Sequence, residues 1–336
     1  MLLVLLVHTN LAAIGTNSLP DKVLAWLPYF IDCYMPVFFV LSGYTFKDKA
    51  GILAHRARQL ILPYAKWVAV YYALFIIMAI CRGEIYPGHW LKILAGCFYS
   101  RYGLFADGSP HLFPTGAEPL WFLTALFVSY ALYIPIHRAR SVAKHLLVAG
   151  YAGILLLLHQ CPVLLPWSAD TAFAGALFIY GGHALASSGL LQKLNIRSLL
   201  LATVLVPIYI WTVDSNGGSG GMYMRNFGRM GWYAPLPFIL MGLSGTYLWC
   251  IFCQLLEKIR IVRPLSIIGE HSLTLLCSHM LVYLILQTIF LTLPDHFPQL
   301  IGLFPYTSSV QFLSAVFCVL ICARLRKAFF QTNRFF

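Results

Sequence analysis

Hydrophobic residues run along this chain in long blocks, with short polar or basic stretches between them. The blocks fall at about 1–14, 24–46, 60–81, 119–136, 145–160, 168–187, 198–213, 233–256, 265–290 and 308–323. Judged against the roughly 20 residues needed to cross a bilayer core, they read as ten transmembrane helices. The weak alternating pattern of a membrane β-barrel is missing, so a helical bundle is the arrangement that satisfies the backbone in lipid. The predicted fold is all-α: a polytopic transmembrane helical bundle of about ten spans, forming one integral-membrane domain over 1–336 with no separate soluble domain.

Composition supports this class. Hydrophobic residues make up 60% of the chain, charged residues 10%, and the mean hydropathy is +0.77, well outside the range of soluble domains. The net charge of +12 changes the picture only through its placement. Alternate loops hold Lys47, Lys49, Arg56, Arg58; Arg138, Arg140, Lys144; Lys193, Arg197; Lys258, Arg260, Arg263; and Arg324, Arg326, Lys327, Arg334, which is 16 of the 23 Lys and Arg. The other set of loops holds Lys22, Arg82, Lys92, Arg101, Arg225 and Arg229. By the positive-inside rule the first set is cytoplasmic, which places both termini inside and requires an even number of crossings. No soluble basic domain exists to bind nucleic acid. The nine Cys, an odd number lying mostly in apolar runs, indicate neither a disulfide framework nor a zinc site, and Cys250 and Cys253 read as helix packing. No cleavable signal is visible at the N-terminus.

The first block is short. About 14 helical residues rise about 21 Å against a core of about 30 Å, so the first helix is expected to be truncated at its N-terminal, cytoplasmic end, with local bilayer thinning as the alternative. Two outside loops are long. One contains "HWLKILAGCFYSRYGLF", an amphipathic piece that could lie on the outer surface. The other, "DSNGGSGGMYMRNFGRMGW", combines a Gly-rich turn with Arg225, Asn226, Arg229 and Trp232. Arg and aromatics suit a sugar-binding rim, and equally an interfacial belt.

Ionisable groups at membrane depth cost of order 2.5 to 3.5 kcal/mol when charged, so each marks a possible cavity. The candidates are His8, Asp32, Lys66, Glu118, His183, Glu270, His271 and His279, with His8, Asp32 and His279 deepest. An imidazole in a wet cavity can take a proton from a hydroxyl near neutral pH, although a lone membrane His is also an ordinary packed residue. Arg56, Arg58 and Lys66, within "RARQLILPYAK", could meet a polyphosphate by charge-assisted hydrogen bonds or simply face anionic lipid. No P-loop, Gly-x-Gly-x-x-Gly or His-Glu-x-x-His is present. A membrane enzyme and a proton-coupled transporter or flippase of a small solute or glycolipid, relaying protons through His8, Asp32 and His279, both fit these residues.

Four stretches in order, "PVFFVLSGY" (36–44), "HRARQLILPY" (55–64), "PLWFLTALFVSY" (119–130) and "IGEHSLTLLCSHMLVY" (268–283), resemble the acyltransferase-3 family of membrane O-acyltransferases. The likeness is strongest to its short members that acetylate sugars of bacterial surface polysaccharides. The resemblance implies an acyl-CoA-dependent O-acetyltransferase of the bacterial inner membrane, with acetyl-CoA as donor, a glycan or glycolipid acceptor, lipid as surroundings, and no metal or nucleic acid. In that family a His near the end of the first helix, preceded by an Arg with ten residues between, forms the catalytic pair. His8 matches the His, and the Arg would fall at position −3, before Met1. An inactive relative is therefore a further reading. Arg56 and Arg58 stand near the family's basic pair, whose spacing of three is matched only by His55 and Arg58. Trp121 and Phe122 match its Trp-Phe, and His271, Ser272 and His279 its late polar positions. The implied roles are His8 as general base or transient acyl carrier and His279 as orienter or oxyanion donor. Arg56, Arg58 and Lys66 would contact the CoA phosphates. Trp121, Glu118, Arg225 and Trp232 are the acceptor-side expectations, and Glu118 and Asp32 match no family position.

Overall fold

A computed structural model of the chain describes residues 4–5, 29–30, 32–81, 87–101, 120–161, 164–216, 231–258 and 268–282. Among them all regular structure is helical, and the protein is an all-α helical membrane protein. Two compact units divide the chain, Pro28–Leu255 and Met1–Leu27 with Leu256–Phe336.

In the larger unit the helices are α1 Tyr34–Tyr44, α2 Ile52–Cys81, α3 Pro87–Tyr99, α4 Trp121–Arg138, α5 Ser141–Gln160, α6 Ala169–Ser188, α7 Ile196–Asn216 and α8 Pro235–Lys258. Stretches within α2, α5 and α7, and α8 with the turn preceding it, are long and apolar enough to cross a membrane. The apolar windows of α2, α5 and α7 are largely unburied, only 6% buried in α5 and 17% in α2, whereas that of α8 is half buried. Lipid is as apolar as Leu, so such surfaces carry no penalty there. Helices α4 and α6, of similar length, pack against each other and against α1 at the centre of the unit. Thr124, Ser129, Asp170 and Thr171 are all buried between them and their neighbours.

The inner three run in the same direction. Phe39 meets Gly175, Gly43 meets Ile179 and Val40 meets Gly182, so α1 lies parallel to α6. Phe127 against Trp167 and His137 against His183 set α4 parallel to α6 as well. Parallel neighbours need a returning segment between them, which is what α5 supplies between α4 and α6. Tyr151 of α5 hydrogen-bonds the Leu132 carbonyl at 3.1 Å and meets Phe173 edge-on. Helix α6 ends at Gly189, whose φ of 70° closes the helix in the left-handed conformation that glycine adopts freely.

The α1–α6 contact is close because both helices offer glycine. A Cβ on Gly43 would sit 2.0 Å from the Ile179 carbonyl oxygen, and one on Gly182 would sit 1.9 Å from that of Val40. The two backbones therefore touch without side chains between them, as small residues permit in membranes.

The amphipathic piece expected to lie on the outer surface does form a helix, α3, but it packs lengthwise against α2. Tyr64 donates to the Cys97 carbonyl and Tyr72 to that of Trp90, Ile93 and Cys97 are buried, and Leu91 and Phe98 stay exposed. Two tyrosine hydroxyls that need acceptors at this depth thus decide its orientation.

In the smaller unit the described residues are few. Val4 and Leu5 are buried, and α9, Ser272–Val282, buries Leu275, Leu276, Cys277, His279 and Leu281. The remaining residues of the first and ninth predicted spans, and all of the tenth, lie outside the described residues.

Candidate functional site

Polar side chains of the larger unit gather at two ends. At one, the 45–51 loop after α1 meets the last turns of α4 and α6. Asp48 accepts from Arg138 Nε and Nη2 at 3.1 and 3.0 Å, a side-on bidentate pair. This holds the Asp48 carboxyl below its ordinary range, with His137, 3.8 Å away, acting in the same direction. Phe46 is buried among Tyr130, Tyr133, His137 and His183, with ring centroids 5.0 to 6.1 Å away. The His137 and His183 rings are 5.1 Å apart. The loop thus inserts an aromatic plug and straps it with an ion pair.

Arg56 enters this end from the first turns of α2. Its guanidinium carbon lies 4.3 Å from the Tyr130 ring centroid, within cation–π range. Nη1 donates to Gln59 Oε1 at 2.9 Å, while Nε, although buried, has no acceptor. Arg58 is two residues on, about 200° around the helix, and is exposed, as is Lys66. The three expected phosphate contacts are therefore not brought together: Arg56 faces the bundle and the other two face away.

At the opposite end, Arg101 and Asp170 form a fully buried ion pair at 2.9 Å. Around it Ser100 pairs with Thr124 at 2.7 Å, Ser168 donates to the Ser100 carbonyl at 3.2 Å, and Trp167 donates its indole N–H to that of Phe98 at 3.0 Å. Trp121, an expected acceptor contact, is buried here, with its ring 5.8 Å from the Arg101 guanidinium carbon. Ser100, Trp167 and Ser168 all have φ between 51° and 56°, a conformation costly for residues with a Cβ. Three left-handed residues around one ion pair indicate that the pair holds two tight turns together. Sequence reasoning counted Arg101 only as a loop charge and passed over Asp170. The one signal was an acid opening an apolar segment, in "SADTAF".

Other expected residues stand apart. Asp32 is buried beside Cys33 at the turn before α1, and its Oδ2 has no hydrogen-bond partner. Trp232 is exposed, edge-on to Tyr233, and the adjacent Gly231 carbonyl accepts from His159 Nε2 at 3.1 Å. His8, Glu118 and Arg225 lie outside the described residues.

In the smaller unit His279 is buried on α9, and its Nδ1 is 2.9 Å from the Leu275 carbonyl oxygen one turn back. A carbonyl only accepts, so Nδ1 carries the proton and a neutral ring keeps its lone pair on Nε2. His271 is half-buried and Glu270 exposed at the start of this segment. Among the described residues no cluster of His, Cys, Asp and Glu could hold a metal ion.

No curated protein and no solved structure matches the chain. The family described as an acyltransferase domain matches residues 1–324, nearly the whole sequence and both compact units. The apolar bundle with polar side chains at its ends is the scaffold of a membrane acyltransferase domain, and the chain belongs to the acyltransferase-3 family.

Proposed function

We propose that this protein is a membrane O-acyltransferase that moves an acetyl group from acetyl-CoA to a hydroxyl of a cell-surface glycan or glycolipid. The observation that carries the reading is the acyltransferase family match across 1–324. We further place it in a bacterial inner membrane with both termini cytoplasmic. That placement is supported by the charge asymmetry and by the joining of two basic loops through Asp48 and Arg138.

The chemistry asks for a base, a positioned thioester and donors for the developing oxyanion. His8 takes the proton of the acceptor hydroxyl as its oxygen attacks the thioester carbonyl. The C–S bond breaks, and the proton passes to the departing sulfur to leave CoA thiol. The thioester is already activated, so the step is balanced without ATP. His279 acts as the orienting group. With Nδ1 committed to Leu275, its Nε2 is an acceptor, which supports this role over oxyanion donation. The basic end suits the donor's phosphates, because Arg138 is taken by Asp48 whereas Arg56 retains a buried N–H with no acceptor. Trp121, Glu118, Arg225 and Trp232 remain the acceptor-side proposals.

The test is thiol release and acceptor acetylation by membranes given acetyl-CoA and surface glycan. His8→Ala is expected to abolish both at unchanged protein level. Normal transfer in that variant removes His8 as the base, and solute movement without thiol release points to a transporter.

A further inference from the structure

The segment before α1 and the last half of α7 each bring one Tyr and one Asp to the other. Tyr29 donates to Asp214 Oδ1, so the outer pair is closed on itself. Further in along both elements, Asp32 and Tyr209 form an inner pair that is open. Asp32 is 4% exposed and Tyr209 6%, yet Asp32 Oδ2 and the Tyr209 hydroxyl have no hydrogen-bond partner. Tyr209 lies within electrostatic reach of the Asp32 carboxyl and beside the Cys33 thiol, a weak partner at best. A Cβ on Gly245 of α8 would sit 2.6 Å from Tyr209 Cε2 and 2.8 Å from Cys33 Cβ, so the phenol ring is pinned against the α8 backbone. One turn on, the Trp249 indole donates to the Phe30 carbonyl at 3.2 Å and meets the Phe30 ring edge-on.

Buried polar atoms left unmet are costly, and these two ask for different things. The phenol offers a proton, whereas the carboxylate accepts one. A guest that donates and accepts at once satisfies both, and that guest is a hydroxyl. A monovalent cation would meet the carboxylate and leave the phenol proton unmet. An anion is repelled, since among the described residues neither Asp32 nor Asp214 has an ion-pair partner. Helix α7 starts beside the basic residues Lys193 and Arg197, and Asp214 is exposed about 27 Å along its axis. The inner pair therefore lies about 8 Å below the end of α7 that faces away from the basic loops.

We infer that Asp32 and Tyr209 bind one hydroxyl of the acceptor sugar, Asp32 accepting its proton and Tyr209 donating to its oxygen, with the Trp249 indole as the apolar wall. This rests on the acyltransferase reading above. Water has the same hydrogen-bonding chemistry, but an aromatic wall beside a polar pair suits the apolar face of a pyranose ring.

The experiment uses the full chain in nanodiscs. Binding of methyl β-D-galactopyranoside, methyl α-D-glucopyranoside and methyl α-L-rhamnopyranoside is followed by tryptophan fluorescence, and the glycoside bound most tightly serves as acceptor in a thiol-release assay with acetyl-CoA. Asp32→Asn and Tyr209→Phe are nearly isosteric, so either variant alone carries the test. Each is expected to raise the glycoside Kd and the acceptor KM about tenfold and to leave KM for acetyl-CoA at the parental value. The double variant adds little to either single change, because both act on one hydroxyl. Parental glycoside Kd in both variants, or no binding by the parent, overturns the inference and leaves the pair to water. Sodium or potassium chloride raising Tm in the parent but not in Asp32→Asn, with choline chloride inert in both, overturns it in favour of a cation. Glycoside binding that depends on Asp32 without any thiol release keeps the site and removes the enzymatic reading. Transfer with an acceptor KM indifferent to both residues does the reverse.

Discussion

Substituting Gly182 by Ala tests the packing on which the larger unit is built. A methyl group there would lie 1.9 Å from the Val40 carbonyl oxygen, 2.8 Å from its carbon and 3.0 Å from the Tyr44 nitrogen. All three neighbours are backbone, so no rotamer change can relieve the clash, and α1 and α6 must separate by roughly 1.5 Å to reach ordinary contact distances. Overpacking of this kind costs roughly 1–3 kcal/mol, offset by up to about 1 kcal/mol from the better helix propensity of Ala. Because a 1.9 Å clash with backbone belongs at the upper end of that range, the net loss is about 2 kcal/mol, or roughly 4–8 °C in Tm at about 2–4 °C per kcal/mol. Gly150 of α5 provides the opposite control, since a Cβ there meets nothing within 4 Å. Gly150→Ala keeps the propensity gain and is expected to raise Tm slightly. The assay is thermal unfolding of the detergent-solubilised protein, followed by tryptophan fluorescence. If Gly182→Ala melts at or above the parent, as Gly150→Ala should, the two helices do not touch backbone to backbone and the reasoning fails.

Removing one partner of the buried Arg101 and Asp170 pair, by Arg101→Met or Asp170→Asn, should destabilise by about 3–5 kcal/mol. The double change to Met and Leu should recover much of that loss in the same melt. Acid should weaken the strap at the basic end. Asp48 titrates below its unfolded value because of Arg138, so its contribution is present above the ordinary carboxylate range and is lost as pH falls through the lower, folded pKa. Asp48→Asn should remove that part of the acid dependence when unfolding is followed from neutral pH downwards.

Much of the architecture was legible because lipid imposes a simple rule. A segment that must bury its backbone polar groups within itself becomes a helix, and its length and hydropathy mark it in the sequence. The helices α2, α4, α5, α6, α7 and α8 fall where the apolar blocks predicted them, with ends differing by several residues. The family was legible as well, through four motifs whose order, more than any one string, is distinctive. The candidate site was less so. Arg56 and His279 were marked by charge and motif; Tyr130 and Gln59 lay inside the quoted motifs without standing out from them, and Asp48 lay outside, since an aromatic in an apolar block and a polar residue in a loop are unremarkable in one dimension.

Sequence by itself determined the class of fold, the alternation of basic and less basic loops, and the residues capable of acid, base and anion chemistry, because these follow from composition and local period. Only the tertiary structure decided which of them meet. It turned Arg56 inward onto Tyr130 and left Arg58 outside, although the two are neighbours in the chain. It also joined Arg101 to Asp170 across 69 residues. The physical reason is that a buried charge is stable only where another element brings it a partner, and partnership across helices has no local signature.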